Sequence, residues 1–399
     1  MHPFDYWEAD DFKLLNVLPE KIVNKLWQFS PNQTKFGKVY RAELEKASNI
    51  QVLLHANVLE IMSNQSGKAV EGVKITSLDT NKTGTVRAKV VVLACGGIEN
   101  TRILLTSNSV QSAGLGNQND NVGRFFMEHP HVHTGSLISL KNSQPLAYYS
   151  GPTVRRGTHL QPALSVSETA QQKNQILNVA MLMGSSNTHK TEGYSAFKKI
   201  SKALKSGKLP NDFRDHIINV VTDLDEVASG LYYRIRGTRK PFPRNTPINF
   251  RSMSEQMPNP DSRVILDTEK DALGLPRIKL DWRLTELDKR SIRVANQLVG
   301  EEFWRVGLGR LQISEWLRQD DNQFETLVGG FHHMGTTRMS EAPKQGVVEK
   351  NCRVHGLANL YIAGSSIFAT GGHSNPTLTL VALALRLAEH LEKQVLSVN

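Results

Sequence analysis

The residues best suited to chemistry lie in two glycine-held polar clusters between positions 328 and 384. The first cluster, in VGGFHHMGTT, contains His332 and His333, and the second, in GGHSNPT, contains His373 and Asn375. A histidine presented on a bent, glycine-rich segment can act as a general base near pH 7. An asparagine amide can bond a substrate hydroxyl or alkoxide. These residue types indicate acid–base chemistry on a hydroxyl-bearing molecule.

Each cluster also has a purely structural interpretation. A loop histidine can simply bond a backbone carbonyl, and Asn375, which precedes Pro376, can serve only as the N-cap of a helix. Neighbouring side chains of an extended chain point in opposite directions, so at most one of His332 and His333 should face a given site. The residues alone leave both interpretations open, and His373 stays an alternative base.

Other catalytic and metal-binding patterns are missing from this region. The segment GSS at 364–366 lacks the G-x-S-x-G turn, and no Asp or Glu adjoins either histidine cluster to complete a triad. The four histidines of the region show neither HExxH nor CxxC spacing, so no metal is predicted. Because the two cysteines, Cys95 and Cys352, lie far apart in sequence, we expect no disulfide framework and a reducing compartment.

Length and composition predict a globular protein of two domains. The chain has 399 residues, of which 39% are hydrophobic and 22% are charged. Its net charge of +10 comes from scattered basic residues, so a solvated basic face is favoured over nucleic-acid binding. The sequence has no run of about 18 apolar residues and no signal peptide, so we expect a cytoplasmic protein without a membrane span.

The elements that would position the clusters begin in residues 1–124. Apolar residues at helical spacing between positions 14 and 26 predict helical structure, with Pro19 breaking it or starting a turn. Strands are predicted at 50–54, 57–62, 69–75 and 84–89. The apolar run 89–94 is typical of a parallel-sheet strand buried on both faces. It leads into Gly96, Gly97 and a helix, where backbone N–H groups can face an anionic ligand, although such turns also occur without one.

The central part of the chain, residues 125–325, predicts a second domain inserted into the first. Its expected elements are strands at 132–140, 264–267 and 278–282 and a helix over 285–306. Residues 326–399 again show the strand–turn–helix pattern of the first domain, with a buried strand at 359–364, a turn and a helix. The sequence therefore predicts an α/β fold with an α+β insertion.

Several stretches together identify a family. HHMGTTRM, followed by NLYIAGSSIFATGGHSNPTLT, closely resembles the C-terminal signature of the glucose–methanol–choline (GMC) family of FAD-dependent oxidoreductases. Further stretches agree in family order: FSPNQTKFGKVYRAEL, HANVLEI, VVLACGGIENTRILL, NVGRFFMEHP and PNPDSRVILDTEKDALGLPRIKLDWRLT. The resemblance spans nearly the whole chain and is greatest to the sugar-oxidising members.

The resemblance implies a reaction and a fold. Members of the family oxidise the CH–OH group of a small alcohol or sugar by hydride transfer to N5 of FAD. Their fold implies that 1–124 and 326–399 form an FAD-binding, Rossmann-like domain, and that 125–325 forms an inserted substrate domain built on an antiparallel sheet. FAD is therefore the expected cofactor.

The resemblance also implies roles for individual residues. Aligning H-x-x-G-T and N-P-T assigns the base to His332 and its partner to Asn375, with His373 as the alternative base. Phe331 and His373 would face substrate. The residues that would border FAD are Val58, Gly96, Gly97, Asn100, Gly364, Ser365, Pro376 and Thr377.

One part of the family pattern is missing from these 399 residues. Family members hold the FAD pyrophosphate at a strand, a G-x-G-x-x-G turn and a helix, and no such segment occurs in this sequence. We therefore expect an incomplete FAD-binding domain that begins partway through the family fold. A separate chain could carry the nucleotide-binding segment, and the competing hypothesis is a non-catalytic or split-gene fragment.

Overall fold

The structure is a computed structural model with two compact units. It describes residues 6–7, 12–30, 34–140, 144–185, 192–205, 207, 210, 212–235 and 247–396. The first unit, called the sheet unit, comprises residues 1–34, 131–253 and 290–327. The second, called the site unit, comprises residues 35–130, 254–289 and 328–399.

The described residues form strands and helices throughout the chain. The strands are β1 (Ile22–Phe29), β2 (Asn57–Ser63), β3 (Val70–Thr76), β4 (Thr83–Arg87), β5 (Val91–Leu93), β6 (His131–Ser139), β7 (Thr153–Arg155), β8 (Thr158–Val166), β9 (Val179–Ser185), β10 (Pro247–Ser254), β11 (Arg263–Lys270), β12 (Pro276–Asp281), β13 (Gly309–Ile313) and β14 (Leu360–Ile362). The helices are α1 (Phe36–Val39), α2 (Arg41–Lys46), α3 (Gly96–Thr106), α4 (Gln144–Tyr148), α5 (Glu168–Asn174), α6 (Glu192–Lys205), α7 (Phe213–Thr222), α8 (Leu224–Ile235), α9 (Glu286–Arg305) and α10 (Thr377–His390).

The sheet unit is built on a seven-stranded sheet in the order β1-β8-β9-β10-β6-β13, with β7 pairing β8. The pairs β1–β8, β8–β9, β10–β6 and β6–β13 are antiparallel. Helix α9 buries Ile292, Ala295, Val299 and Phe303, whose helical spacing places them on one face. Phe303 packs against the sheet residue Phe250, with ring centroids 5.6 Å apart. The predicted antiparallel-sheet insertion is confirmed.

Two secondary-structure predictions near the N-terminus are wrong. Residues 22–29 form strand β1 rather than the end of a helix, because they pair along their whole length with β8 in an antiparallel register. This pairing outweighs the helical spacing of a few apolar residues. Residues 50–54, predicted as a strand, have no regular structure, and all five are exposed.

The site unit contains smaller sheets around its own core. Strands β2, β3 and β4 form an antiparallel sheet, β11 and β12 form a hairpin, and β14 pairs parallel to β5. The parallel pair confirms the prediction for 89–94 and 359–364. The prediction that the first of these strands is buried on both faces is wrong, because Val92 is 42% exposed while Leu93 is buried.

The two compact units differ from the predicted domain ranges at residues 1–34, 125–130 and 254–289, and by two residues at the boundary near 326. Residues 1–34 belong to the sheet unit because β1 is one of its strands. The β11–β12 hairpin belongs to the site unit, where Val264 N donates to Gly123 O and Arg102 Nε donates to Pro276 O. The predicted domain ranges place this hairpin in the inserted domain because it lies between other segments of that domain in the sequence. Within the described ranges, no helix has the length and apolar content needed to cross a membrane.

Candidate active site

The segment that carries His332 and His333 is fixed by backbone pairing with a distant stretch of the site unit. Met127 and Met334 exchange two backbone hydrogen bonds, Met127 N to Met334 O at 2.9 Å and Met334 N to Met127 O at 3.0 Å. Both methionines are fully buried. This antiparallel bridge places residues 128 and 129 directly beside residues 332 and 333.

Glu128 is the centre of the arrangement. Its carboxylate accepts backbone N–H groups of His129, Gly330 and His332, each at 3.0 Å. His333 Nε2 lies 3.3 Å from Glu128 Oε1. The Glu128 side chain is only 4% exposed. A buried carboxylate with this many donors is well satisfied, and it fixes the backbone on both sides of the bridge.

His332 lies between a second histidine and an amide. Its Nδ1 is 2.9 Å from His129 Nδ1, and its Nε2 is 3.4 Å from Asn375 Nδ2. Burial lowers the pKa of His332, the neighbouring His333 acts in the same direction, and the Glu128 carboxylate opposes them. The net shift is downward, so the neutral imidazole, the form that accepts a proton, is favoured at neutral pH.

His333 faces elsewhere. Its side chain contacts Glu128, and its ring lies 5.7 Å from that of Phe126. Its backbone carbonyl accepts the Ser365 hydroxyl at 2.7 Å. The two adjacent histidines therefore have different partners, as expected for an extended segment.

Asn375 is not a side-chain N-cap. Helix α10 begins at Thr377 after the cap residue Pro376, and it has no side-chain capping hydrogen bond at this end. The predicted placement of Asn375 as cap and Pro376 as the first helical residue is therefore wrong by one position. The Asn375 amide is directed to His332 instead.

The two parallel strands end at glycines that leave space above the sheet. Gly96 follows β5 with φ +89°, and nothing lies within 4 Å of where its Cβ would be. Gly364 follows β14 with φ +124°, and the nearest atom to its Cβ position belongs to Asn100 at 3.9 Å. Ligands of open parallel sheets bind outside the carboxyl ends of the strands. The residues present therefore fit a ligand lying across these two turns, beside the uncapped N-terminus of α3.

Three other predicted cofactor-binding residues hold this turn together. Asn100 is fully buried, accepts Cys95 N at 2.7 Å and donates to Ser366 Oγ at 3.0 Å. A Cβ on Gly97 would lie 2.5 Å from His333 O, so only glycine permits the approach of α3 to the histidine segment. Ser365 bonds the same carbonyl. Contacts of these residues with FAD stay a prediction.

The remaining predicted site residues have varied surroundings. Phe331 is 89% exposed with φ +59°, whereas His373 and Pro376 are buried. Thr377 is exposed, and Val58 packs against the core of the site unit. Among the described residues, no group of three or more His, Cys, Asp or Glu side chains could hold a metal ion.

Two residues next to His332 were missed in the sequence. Glu128 and His129 lie about 200 positions away, in NVGRFFMEHP. No local signal marks either residue as a partner of His332, because neither lies in or beside a histidine cluster of residues 328–384. The two histidine clusters meet where His332 contacts Asn375. The Met127–Met334 bridge then places Glu128 and His129 beside His332.

Comparison with known proteins identifies the family. Two models described as GMC oxidoreductase match the chain, the N-terminal model over residues 31–131 and the C-terminal model over residues 258–384. The chain belongs to the GMC oxidoreductase family. The resemblance found in the sequence is thereby confirmed, and both model matches include residues of the site.

The individual proteins that the chain resembles have low sequence identity to it. The GMC chain is 24% identical to the fructose dehydrogenase large subunit of Gluconobacter japonicus, over 92% of this chain and 58% of that protein. It is 25% identical to 2-methyl-1,2-propanediol dehydrogenase of Mycolicibacterium austroafricanum, over 85% of this chain and 54% of that protein. The structure of pyridoxine 4-oxidase from Mesorbium loti has a TM-score of 0.49 at 16% identity, covering 87% of this chain and 59% of that chain. The chain thus spans a little over half the length of the relatives it matches.

Proposed function

We propose that the protein is an FAD-dependent oxidoreductase that oxidises the CH–OH group of a small alcohol or sugar. Family membership supports the reaction class, and two similar proteins are named as dehydrogenases of fructose and of 2-methyl-1,2-propanediol. The observation that carries the proposal is the pairing of His332 Nε2 with the Asn375 amide at 3.4 Å. This is the base-and-partner pair that alignment to the family selected.

The chain's own residues would perform the proton transfer. When substrate binds, its hydroxyl takes the place of the Asn375 amide at His332 Nε2. Neutral His332 then accepts the hydroxyl proton at Nε2, and the Asn375 amide donates to the same oxygen and holds it in place. FAD, when bound, supplies the acceptor for the hydride that leaves the carbon. The groups best placed to hold the cofactor lie at the strand ends. Gly96 and Gly364 leave open space there, and the first N–H groups of α3 have no side-chain cap.

The proposal predicts a pH profile. Since burial lowers the pKa of His332, we expect kcat/KM with the preferred alcohol to be constant at neutral pH. It should fall tenfold per pH unit at acid pH, with a midpoint below the ordinary histidine pKa, because the protonated imidazole cannot accept a proton. Steady-state rates in buffers of constant ionic strength measure this limb. A midpoint at or above the ordinary histidine value would contradict the assignment.

The test of the function is a reductive titration. The purified protein is loaded with FAD, freed of excess cofactor and mixed anaerobically with a panel of sugars and short diols. We expect at least one compound to bleach the flavin band near 450 nm, with the matching carbonyl compound as product. A protein that holds FAD and is reduced by dithionite, but by no alcohol in the panel, would count against the proposed activity.

A second hypothesis is that another polypeptide completes the FAD-binding site. The 399 residues contain no G-x-G-x-x-G turn, and among the described residues the parallel sheet has two strands, with Val92 exposed. A separate polypeptide carrying the nucleotide-binding segment would supply both features. FAD binding by the 399-residue chain alone, measured by flavin fluorescence, tests this candidate. A tight complex without any added polypeptide would dismiss it.

A further inference from the structure

A second imidazole lies directly behind the proposed base. His129 Nδ1 and His332 Nδ1 are 2.9 Å apart, and the rings meet nearly edge-on, with centroids 4.9 Å apart and an angle of 70° between their planes. Two ring nitrogens at this distance form a hydrogen bond only if one carries a proton and the other presents its lone pair. The contact therefore couples the protonation states of the two rings.

The opposite nitrogen of His332 determines the direction of this bond. Asn375 Nδ2 approaches His332 Nε2, and an amide NH₂ is a donor only. Nε2 therefore accepts and carries no proton. Neutral His332 must then carry its proton on Nδ1 and donate it to Nδ1 of His129, whose own proton lies on Nε2.

We propose that His129 is a positioning residue, which holds neutral His332 in the tautomer whose Nε2 lone pair faces the substrate side. The inference rests on the proposed function, because it assumes that His332 is the base. A histidine whose other nitrogen has no acceptor populates both tautomers, and the one protonated on Nε2 cannot accept a proton there. When Nε2 takes the substrate proton, Nδ1–H stays bonded to His129 and the ring keeps its orientation.

The surroundings of His129 suit this role. The residue is fully buried, and its backbone N–H donates to Glu128 Oε2 at 3.0 Å, so its main chain is fixed by the carboxylate that also holds the His332 backbone. The titratable groups that act on His332 are Glu128 and His333, which interact with each other at 3.3 Å. Because those two groups contact each other, the His129 ring, 2.9 Å away, is the group placed to accept the hydrogen bond from His332 Nδ1.

Nitrogen NMR of the full chain tests the tautomer directly. In protein labelled with ¹⁵N-histidine, two-bond correlations distinguish a protonated from an unprotonated ring nitrogen, and single histidine variants assign the signals. We expect His332 in the wild-type protein to be protonated on Nδ1 and unprotonated on Nε2. His332 protonated on Nε2 would overturn the inference, whatever the activity.

Two substitutions at His129 separate positioning from packing. His129→Asn keeps an acceptor atom near the place of Nδ1, whereas His129→Leu fills similar space without one. We expect the Asn variant to keep the His332 tautomer and the Leu variant to show a mixture of both. In FAD-loaded protein the Leu variant should lose about 10- to 100-fold in kcat at nearly unchanged KM, by analogy with the loss seen when partners that orient metal-bound histidines are removed.

The control and the contrary outcomes complete the test. His355 is a half-buried histidine of the same unit whose Nε2 bonds Ser340 O at 3.0 Å, so His355→Gln should leave the His332 signals and kcat unchanged. An unaltered His332 tautomer in a folded His129→Leu variant would overturn the inference. If that variant does not fold, the wild-type spectrum and His129→Asn decide. Failure of the proposed function is distinguishable, because it leaves the tautomer as inferred while substitution of His332 leaves turnover intact.

Discussion

His332→Gln is expected to lower kcat for the preferred alcohol by about 10²- to 10⁴-fold, the usual contribution of a positioned general base. Glutamine has a similar length and retains a polar end, but its amide does not accept a proton at neutral pH. The His332 side chain is only half-buried, so folding should be preserved. Stopped-flow measurement of flavin reduction under anaerobic conditions isolates the chemical step from later oxidation.

The alternative base provides the decisive comparison. His373 lies in the same glycine-rich loop as Asn375 and is buried. If His332 is the base, His373→Gln should reduce the rate of flavin reduction much less than His332→Gln does. The reverse order would transfer the role to His373. His355→Gln serves as the control for loss of a histidine in this unit, and its rate should match the wild type.

Glu128→Ala is expected to cause the second large effect, a loss of about 3 kcal/mol or more of unfolding free energy. The substitution leaves three backbone N–H groups without their acceptor, those of His129, Gly330 and His332. Each buried unsatisfied donor costs about 1–3 kcal/mol, and the costs are not strictly additive. Glu128→Gln keeps one acceptor oxygen and should lose less.

Urea unfolding followed by far-UV circular dichroism measures this loss, with the midpoint interpreted at constant slope. Glu389→Ala is the matched control, because Glu389 is an exposed carboxylate with one surface ion pair to Lys393, and such pairs contribute about 0–1 kcal/mol. A Glu128→Ala variant as stable as this control would show that the carboxylate is not needed to hold the site.

In Glu128→Gln, removal of the negative charge should also move the acid limb of the pH profile to lower pH, since the Glu128 carboxylate raises the pKa of His332.

The sequence by itself determined the family and the two parallel strands, and it predicted the pair of residues that we propose transfers the proton. Local patterns account for this, because apolar runs, glycine turns and the HHMGTT and NPT segments are contiguous signals. His332 and Asn375 are separated by 43 positions, and each lies in its own recognisable segment. Helix α9 and the β11–β12 hairpin were likewise predictable from periodicity and turn residues.

Only the tertiary structure decided which groups surround the proposed base, His332. Residues 22–29 became a strand because a distant strand, β8, offers a complete ladder of partners, a fact that no local window contains. In the same way, the Met127–Met334 bridge brings Glu128 and His129 to His332 across about 200 positions. Hydrogen-bond partners of a buried imidazole are selected by position in space, and they determine which of its two nitrogens carries the proton. The sequence therefore predicted which histidine acts as base, but it could not indicate the residue that we propose orients that histidine.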